Sequence, residues 1–214
     1  MDKRVSIVWD WNGTIIDDLE YCVSVLNYFL SARAMKTIDV EFYRNNFTFP
    51  VIDFYKSMGF DLQNEDMIAI SKDWNDLYYS NVNCCQLRSG VREIIYYFKE
   101  KDFSQYIVSA SEHNMLNRIV DSFNLRPYFQ NVMGIDNHQA RGKLHLAEKI
   151  KEELRPTEMY VIGDSIHDYE LSCYLGAQSI LVNNGHQSEE KLRTCSKAII
   201  VNDFAEIKAL FNSN

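Results

Sequence analysis

Three prolines and eight glycines are all that punctuate the 214 residues, which leaves no place for a flexible linker or a low-complexity segment. Basic charge is scarce as well. With 22 Lys+Arg against 30 Asp+Glu and a net charge of -8, the chain has no broad basic face for a phosphate backbone, so nucleic acid is not an expected partner. No apolar run approaches the roughly eighteen residues of a membrane span, and no membrane association is expected. The start, MDKRVSIVWDWNG, lacks the long apolar region and small-residue cleavage site of a signal peptide. The five cysteines, Cys22, Cys84, Cys85, Cys173 and Cys195, are odd in number and include no CxxC pair. A reduced, cytoplasmic setting is the expectation, with the vicinal Cys84-Cys85 pair read as ordinary buried thiols in preference to a redox device.

What the chain does have is 46% hydrophobic residues, enough to bury a real core. Short apolar runs of strand length occur at Val5 to Trp9, Tyr106 to Val108, Met159 to Ile162, Ile180 to Val182 and Ile199 to Val201. Helical patterns separate them: Val91, Ile94, Ile95 and Phe98 share a face, as do Leu116, Ile119, Val120 and Phe123, and Ala147, Ile150 and Leu154. This alternation implies an α/β fold, a Rossmann-like parallel sheet with right-handed crossovers and helices on both faces. In such sheets the ligand sits at the carboxyl ends of the strands.

The interval from about Ile16 to Leu87 breaks the alternation, reading as helix after helix with no convincing strand. Leu19, Cys22, Val23, Leu26, Phe29 and Leu30 form one stripe, and Met67, Ile70, Trp74, Leu77 and Tyr78 another. Two shorter segments lie between them, one ending near Phe47 and one opening around Pro50. The expected organisation is an α/β core of residues 1–15 and 88–214, with an all-α domain of residues 16–87 inserted into it.

Four elements carry candidate chemistry. Asp10-Trp11-Asn12-Gly13-Thr14 follows the first buried strand and puts a carboxylate at the sheet's carboxyl edge, although an aspartate there can also merely cap a turn. Ser109, with Ala110 and Ser111 after it, ends a second strand just before a helix, a place suited to a helix cap or to a phosphate. Gly142-Lys143 opens a third helix, where a lysine opposes the dipole and so favours an anion nearby. Asp164 and Asp168, four residues apart, close another strand and offer the hard oxygen ligands that magnesium prefers.

The order and context of these elements resemble the four signature motifs of the haloacid dehalogenase superfamily, across roughly residues 1 to 15 and 88 to 214. The insert looks like the helical cap of phosphoglycolate phosphatase-like members. The resemblance implies that Asp10 attacks phosphorus to form an aspartyl phosphate. It further implies that Mg²⁺ is held by Asp10, the backbone carbonyl of Asn12 and Asp164, with Asp168 as a further ligand or as a support behind the ligands, and that Ser109, Ala110 and Lys143 hold the phosphate of a small phosphorylated metabolite. The chain departs from the family at Asn12, where its phosphatases carry an aspartate that protonates the leaving group and later activates water. Asparagine cannot transfer protons, a role worth roughly 10²–10⁴-fold, so slow turnover is expected. His113 and His167 are candidate stand-ins.

Rival activities use different residues. A dehalogenase has no use for Asp164 and Asp168. A phosphonate hydrolase needs a Schiff-base lysine, for which Lys36, Lys56 and Lys72 are available, and a sugar-phosphate mutase needs the acid missing at position 12. A non-catalytic phosphate-binding protein accommodates Asn12 best. Arg44 and Phe49 stand in the insert where they reach the site or pack against the core.

Overall fold

The computed structural model describes residues 4–135, 144–153 and 158–212. Val5–Trp9 (β1) is apolar or small at each position and buried along its whole length, the signature of a central strand. Two short strands, Ile16–Asp17 (β2) and Gln86–Leu87 (β3), bracket the helices Leu19–Ala32 (α1), Val40–Asn46 (α2), Val51–Ser57 (α3) and Met67–Asn81 (α4). Val91–Glu100 (α5), Ser104–Glu112 (β4), His113–Ser122 (α6), Asn131–Ile135 (β5), Leu144–Glu153 (α7), Glu158–Gly163 (β6) and Ile166–Leu175 (α8) follow. The chain ends with Gln178–Val182 (β7), Glu189–Leu192 (α9), Ile199–Val201 (β8) and Phe204–Asn212 (α10).

Six strands form one sheet in the order β5-β4-β1-β6-β7-β8, and every pairing in it is parallel. Successive side chains on a strand point to opposite faces. Ile7 and Trp9 therefore join the core under α5, α6 and α10, whereas Val8 joins the one built with Leu146, Ala147 and Leu171 of α7 and α8. Chain order reverses at β1, which lies between β4 and β6 with Trp9 in register with Ile107 and Ile162. A crevice for ligand opens at such a switch point, and here it faces the residues after β1, β4 and β6.

The insert has its own apolar cluster, including Leu26, Phe29, Tyr43, Phe54, Phe60 and Ile70. Contrary to the all-helical expectation, β2 and β3 pair antiparallel at its two ends, Ile16 opposite Leu87 and Asp17 opposite Gln86. Two residues per strand leave no hydrophobic period in the sequence, but the pairing ties both connections into one neck. The β5 strand was also not expected, since Asn131 and Gly134 interrupt its apolar character. Cys22, Cys85 and Cys195 are buried and Cys84 and Cys173 exposed, all of them free, so that of the vicinal pair Cys85 is buried as expected and Cys84 is not.

Candidate active site

The backbone of Asp10 extends the sheet by one residue, its N–H donating to Ile162 O at 2.8 Å. The chain then turns sharply at Gly13, whose φ of +72° favours glycine, and any side chain there would collide with the Asp164 carboxylate and the His186 ring. The amides of Ile15 and Ile16 fold back onto Trp11 O. This turn sets the Thr14 hydroxyl between two acids, 3.4 Å from Asp10 Oδ2 and 3.2 Å from Asp164 Oδ1.

Asp10, Asp164 and Asp168 are buried, and each contributes an oxygen to a group lying within 4.8 Å. Three carboxylates this close repel one another in a low-dielectric setting unless a cation joins them. Hard oxygen donors at two strand ends suit Mg²⁺, so the residues fit the ion. Asp168 has a second duty. Its Oδ2 accepts from Asp164 N and Ser165 N, both at 3.1 Å, and from Ser165 Oγ at 2.6 Å, which caps α8 and orients the Asp164 loop.

A second buried acid lies beside the first turn. Asp18 is fully buried, and burying an unpaired carboxylate costs on the order of several kcal/mol. Here its Oδ1 accepts from Gly13 N at 2.9 Å and faces His186 Nε2 at 3.1 Å. Its Oδ2 accepts from Asn12 Nδ2 at 2.8 Å and the Tyr78 hydroxyl at 2.7 Å. Burial pushes the Asp18 carboxyl up, but the His186 charge and the hydrogen bonds from His186, Asn12 and Tyr78 outweigh it and bring it to about 2. Burial pushes His186 down, but the charge and hydrogen bond of Asp18, with Asp164 and Asp10 behind it, raise it to about 9. Cys22 Sγ lies 3.6 Å from Asp18 Oδ2, and burial together with Asp18 holds its thiol well above the usual range.

This ion pair sets a pH window for stability. The Asp18 contribution is present above its ordinary 3.8 and is lost as pH falls through about 2. The His186 contribution is complete below its ordinary 6.5 and is lost as pH rises through about 9. Thermal unfolding followed by circular dichroism should therefore show the melting temperature declining between these two upper values. In His186→Gln that decline should vanish, and an unchanged slope would contradict the pairing.

The network also fixes Asn12. Its Nδ2 also donates to the Tyr78 hydroxyl at 2.8 Å, while its Oδ1 accepts from Ser111 Oγ at 2.7 Å and, more weakly, from Ser109 Oγ at 3.4 Å. Ser109 is thus brought beside the first motif, but not at a helix start as expected. The β4 strand runs on through a register shift to Glu112, and Glu112 caps α6 by accepting from Asn114 N and Met115 N. Ala110 lies in that same strand extension, half-buried. Lys143 lies outside the described residues.

His113 and His167 make contacts with other parts of the chain. His113 Nδ1 accepts from Gly134 N at 3.4 Å, and the His167 ring packs 4.6 Å from that of Phe49. Arg44 donates to the carbonyls of Asn183 and Gln187 at 3.0 and 3.1 Å, joining insert to core. Lys36, Lys56 and Lys72 are all exposed, which leaves none of them the buried setting of a Schiff-base lysine. Asp18, Tyr78, Ser111 and His186 were missed. For His186 a signal existed, since the loop after β7 is also a strand end of the parallel sheet.

The chain thus combines a parallel sheet, a helical insert and an acid cluster beyond the ends of β1 and β6. The family pattern described as "Haloacid dehalogenase-like hydrolase" matches residues 7–182, and the chain belongs to that family. It is 23% identical over 183 residues, 84% of this chain and 82% of the other, to "Putative pyrophosphatase PpaX" of Caldanaerobacter subterraneus subsp. tengcongensis. In fold it is similar to a predicted phosphatase from Clostridium acetobutylicum, at a TM-score of 0.82, 18% identity and 99% coverage of both chains. CbbY from Rhodobacter sphaeroides in complex with phosphate is similar too, at a TM-score of 0.72, 15% identity and 96% coverage of both chains. Among the described residues no helix is long and apolar enough to cross a membrane.

Proposed function

We propose that the protein is a magnesium-dependent phosphohydrolase that acts on a small phosphorylated metabolite through an aspartyl phosphate at Asp10. The observation that carries this reading is the meeting of Asp10, just after β1, with Asp164, just after the adjacent parallel strand β6, and Asp168 in the first turn of α8. One Asp10 oxygen attacks phosphorus, the bond to the leaving oxygen breaks, and water later releases phosphate and restores the carboxylate. Asp10, Asp164, Asp168 and the carbonyl of Asn12 would hold Mg²⁺, which offsets charge on the phosphoryl oxygens when bound. Ser109, Ala110 and Lys143 would hold those oxygens. Residues 16–87 would be a cap domain on the 1–15 and 88–214 core, shielding the site from bulk water. The free thiols suit a reducing, cytoplasmic compartment. Asn12 supports a second reading, a phosphate-binding protein that has lost turnover.

With Mg²⁺ present, the purified protein should release phosphate from p-nitrophenyl phosphate, and excess chelator should abolish the release. Asp164→Asn should weaken Mg²⁺ binding by about tenfold or more, in line with the loss of a metal-site partner. Activity that persists in chelator would remove the metal from the mechanism. Phosphate binding without any release would favour the second reading.

A further inference from the structure

We infer that the substrate is an acyl phosphate, a mixed anhydride of phosphate with a carboxylic acid, because the described side chains that touch Asn12 direct their protons to partners within the protein and not toward a departing oxygen. This rests on the phosphohydrolase reading above. Asn12 is not an acid, and its amide is held at both ends. The Tyr78 hydroxyl receives from Asn12 and gives its proton to Asp18. The Ser109 and Ser111 hydroxyls point theirs at Asn12 Oδ1. Both ring nitrogens of His186 are engaged, Nε2 with Asp18 and Nδ1 with the Tyr43 hydroxyl at 3.1 Å. Among the described residues none that touches Asn12 is set to protonate a departing oxygen, and the arrangement favours a leaving group that departs as an anion.

The bookkeeping of the step then selects the leaving group. An Asp10 oxygen forms a bond to phosphorus as the bond from phosphorus to the leaving oxygen breaks, and the electron pair stays on that oxygen. An alkyl ester would expel an alkoxide about as basic as hydroxide, of conjugate pKa about 16. An acyl phosphate expels a carboxylate of conjugate pKa about 4, which needs no proton. Water then attacks the aspartyl phosphate, Asp10 leaves as its carboxylate, and the proton of water ends on phosphate or solvent.

Pyrophosphate also carries a good leaving group, but a highly charged one that needs cations to hold it. Among the described residues, the arginine and lysine side chains at this edge donate to backbone carbonyls. Arg88 donates to Gly13 O and Asn184 O, Arg44 to Asn183 O and Gln187 O, and Lys191 to Phe47 O. The insert instead meets the core here through aromatic rings: Tyr43 and Phe47 pack on His186, and Phe49 on His167. An organic acyl group suits that surface better than a second phosphate.

The test measures kcat/KM with Mg²⁺ for acetyl phosphate, pyrophosphate, glycerol phosphate and a set of aryl phosphates of graded phenol acidity. Acetyl phosphate should be the best substrate. Rates on the aryl series should fall steeply as the phenol becomes less acidic, and Asn12→Asp should flatten that slope by favouring the poorest leaving groups by about 10²-fold or more. Glycerol phosphate turned over as fast as acetyl phosphate, or a flat aryl slope in the native protein, would overturn the inference and leave the phosphohydrolase reading standing. Preference for pyrophosphate would overturn the acyl assignment. Silence toward every compound, with Mg²⁺ still bound, would bring down both.

Discussion

In Asp10→Ala, phosphate release from an aryl phosphate should fall by about 10⁴-fold or more, because in the proposed mechanism Asp10 forms the covalent intermediate. The native protein mixed rapidly with a substrate of good leaving group should instead give a burst close to one leaving group per site, followed by slow turnover. The asymmetry comes from Asn12. A good leaving group departs without help, so the first step is fast, but the water of the second step meets an amide held between Asp18, Tyr78 and Ser111, not a base. Acid quench and mass spectrometry should find a labile phosphoryl group on the peptide containing Asp10. Turnover by a folded Asp10→Ala protein would remove the nucleophile from its role. Turnover in the native protein with neither burst nor labelled peptide would mean that dephosphorylation is not the slow step.

The parts of the fold that were legible are those whose chemistry is local. VSIVW is buried along its length, and only a central strand treats five consecutive residues alike. The α1 stripe of Leu19, Cys22, Val23, Leu26, Phe29 and Leu30 is equally self-evident, since one face of one helix explains it. By contrast, β2 and β3 are defined by a partner some seventy positions away, and no window of sequence contains both. Asp10 and Asp164 each follow a strand end, and the sheet rule brings strand ends together, while Asp168 joins them from the first turn of α8. The second half of the site obeys no such rule. Asp18 looks like the capping acid of α1, although its side chain makes no cap hydrogen bond and turns inward. Its partners Tyr78 and His186 come from the insert and from the loop after β7. Ser109 was placed beside the site but given the wrong neighbour in sequence, because the bulged continuation of β4 moves the helix start to His113.

That buried acid changes what restoring the missing one should do. In Asn12→Asp the new carboxyl would stand where the amide nitrogen now lies, 2.8 Å from Asp18 Oδ2. Two ionised carboxylates at that distance cannot coexist in a buried site, so the pair keeps one proton between them and titrates as a unit. The single variant therefore gains a proton donor for the first step without gaining a base for the second. The double variant Asn12→Asp, Asp18→Asn separates the two effects: it removes the competing charge and leaves an amide to support the carboxylate at position 12. On a simple alkyl phosphate it should exceed the native rate by about 10²–10⁴-fold, the full worth of acid–base catalysis, while the single variant recovers only part of that. Lifetimes of the acid-quenched phosphoprotein should divide the variants more sharply, shortening in the double and changing little in the single. Asp18→Asn alone should gain nothing, because His186 loses its anion and position 12 still lacks a base. Equal lifetimes in the single and double variants would show that Asp18 does not hold the proton of residue 12. The slow second step would then belong to the approach of water under the insert and not to its deprotonation.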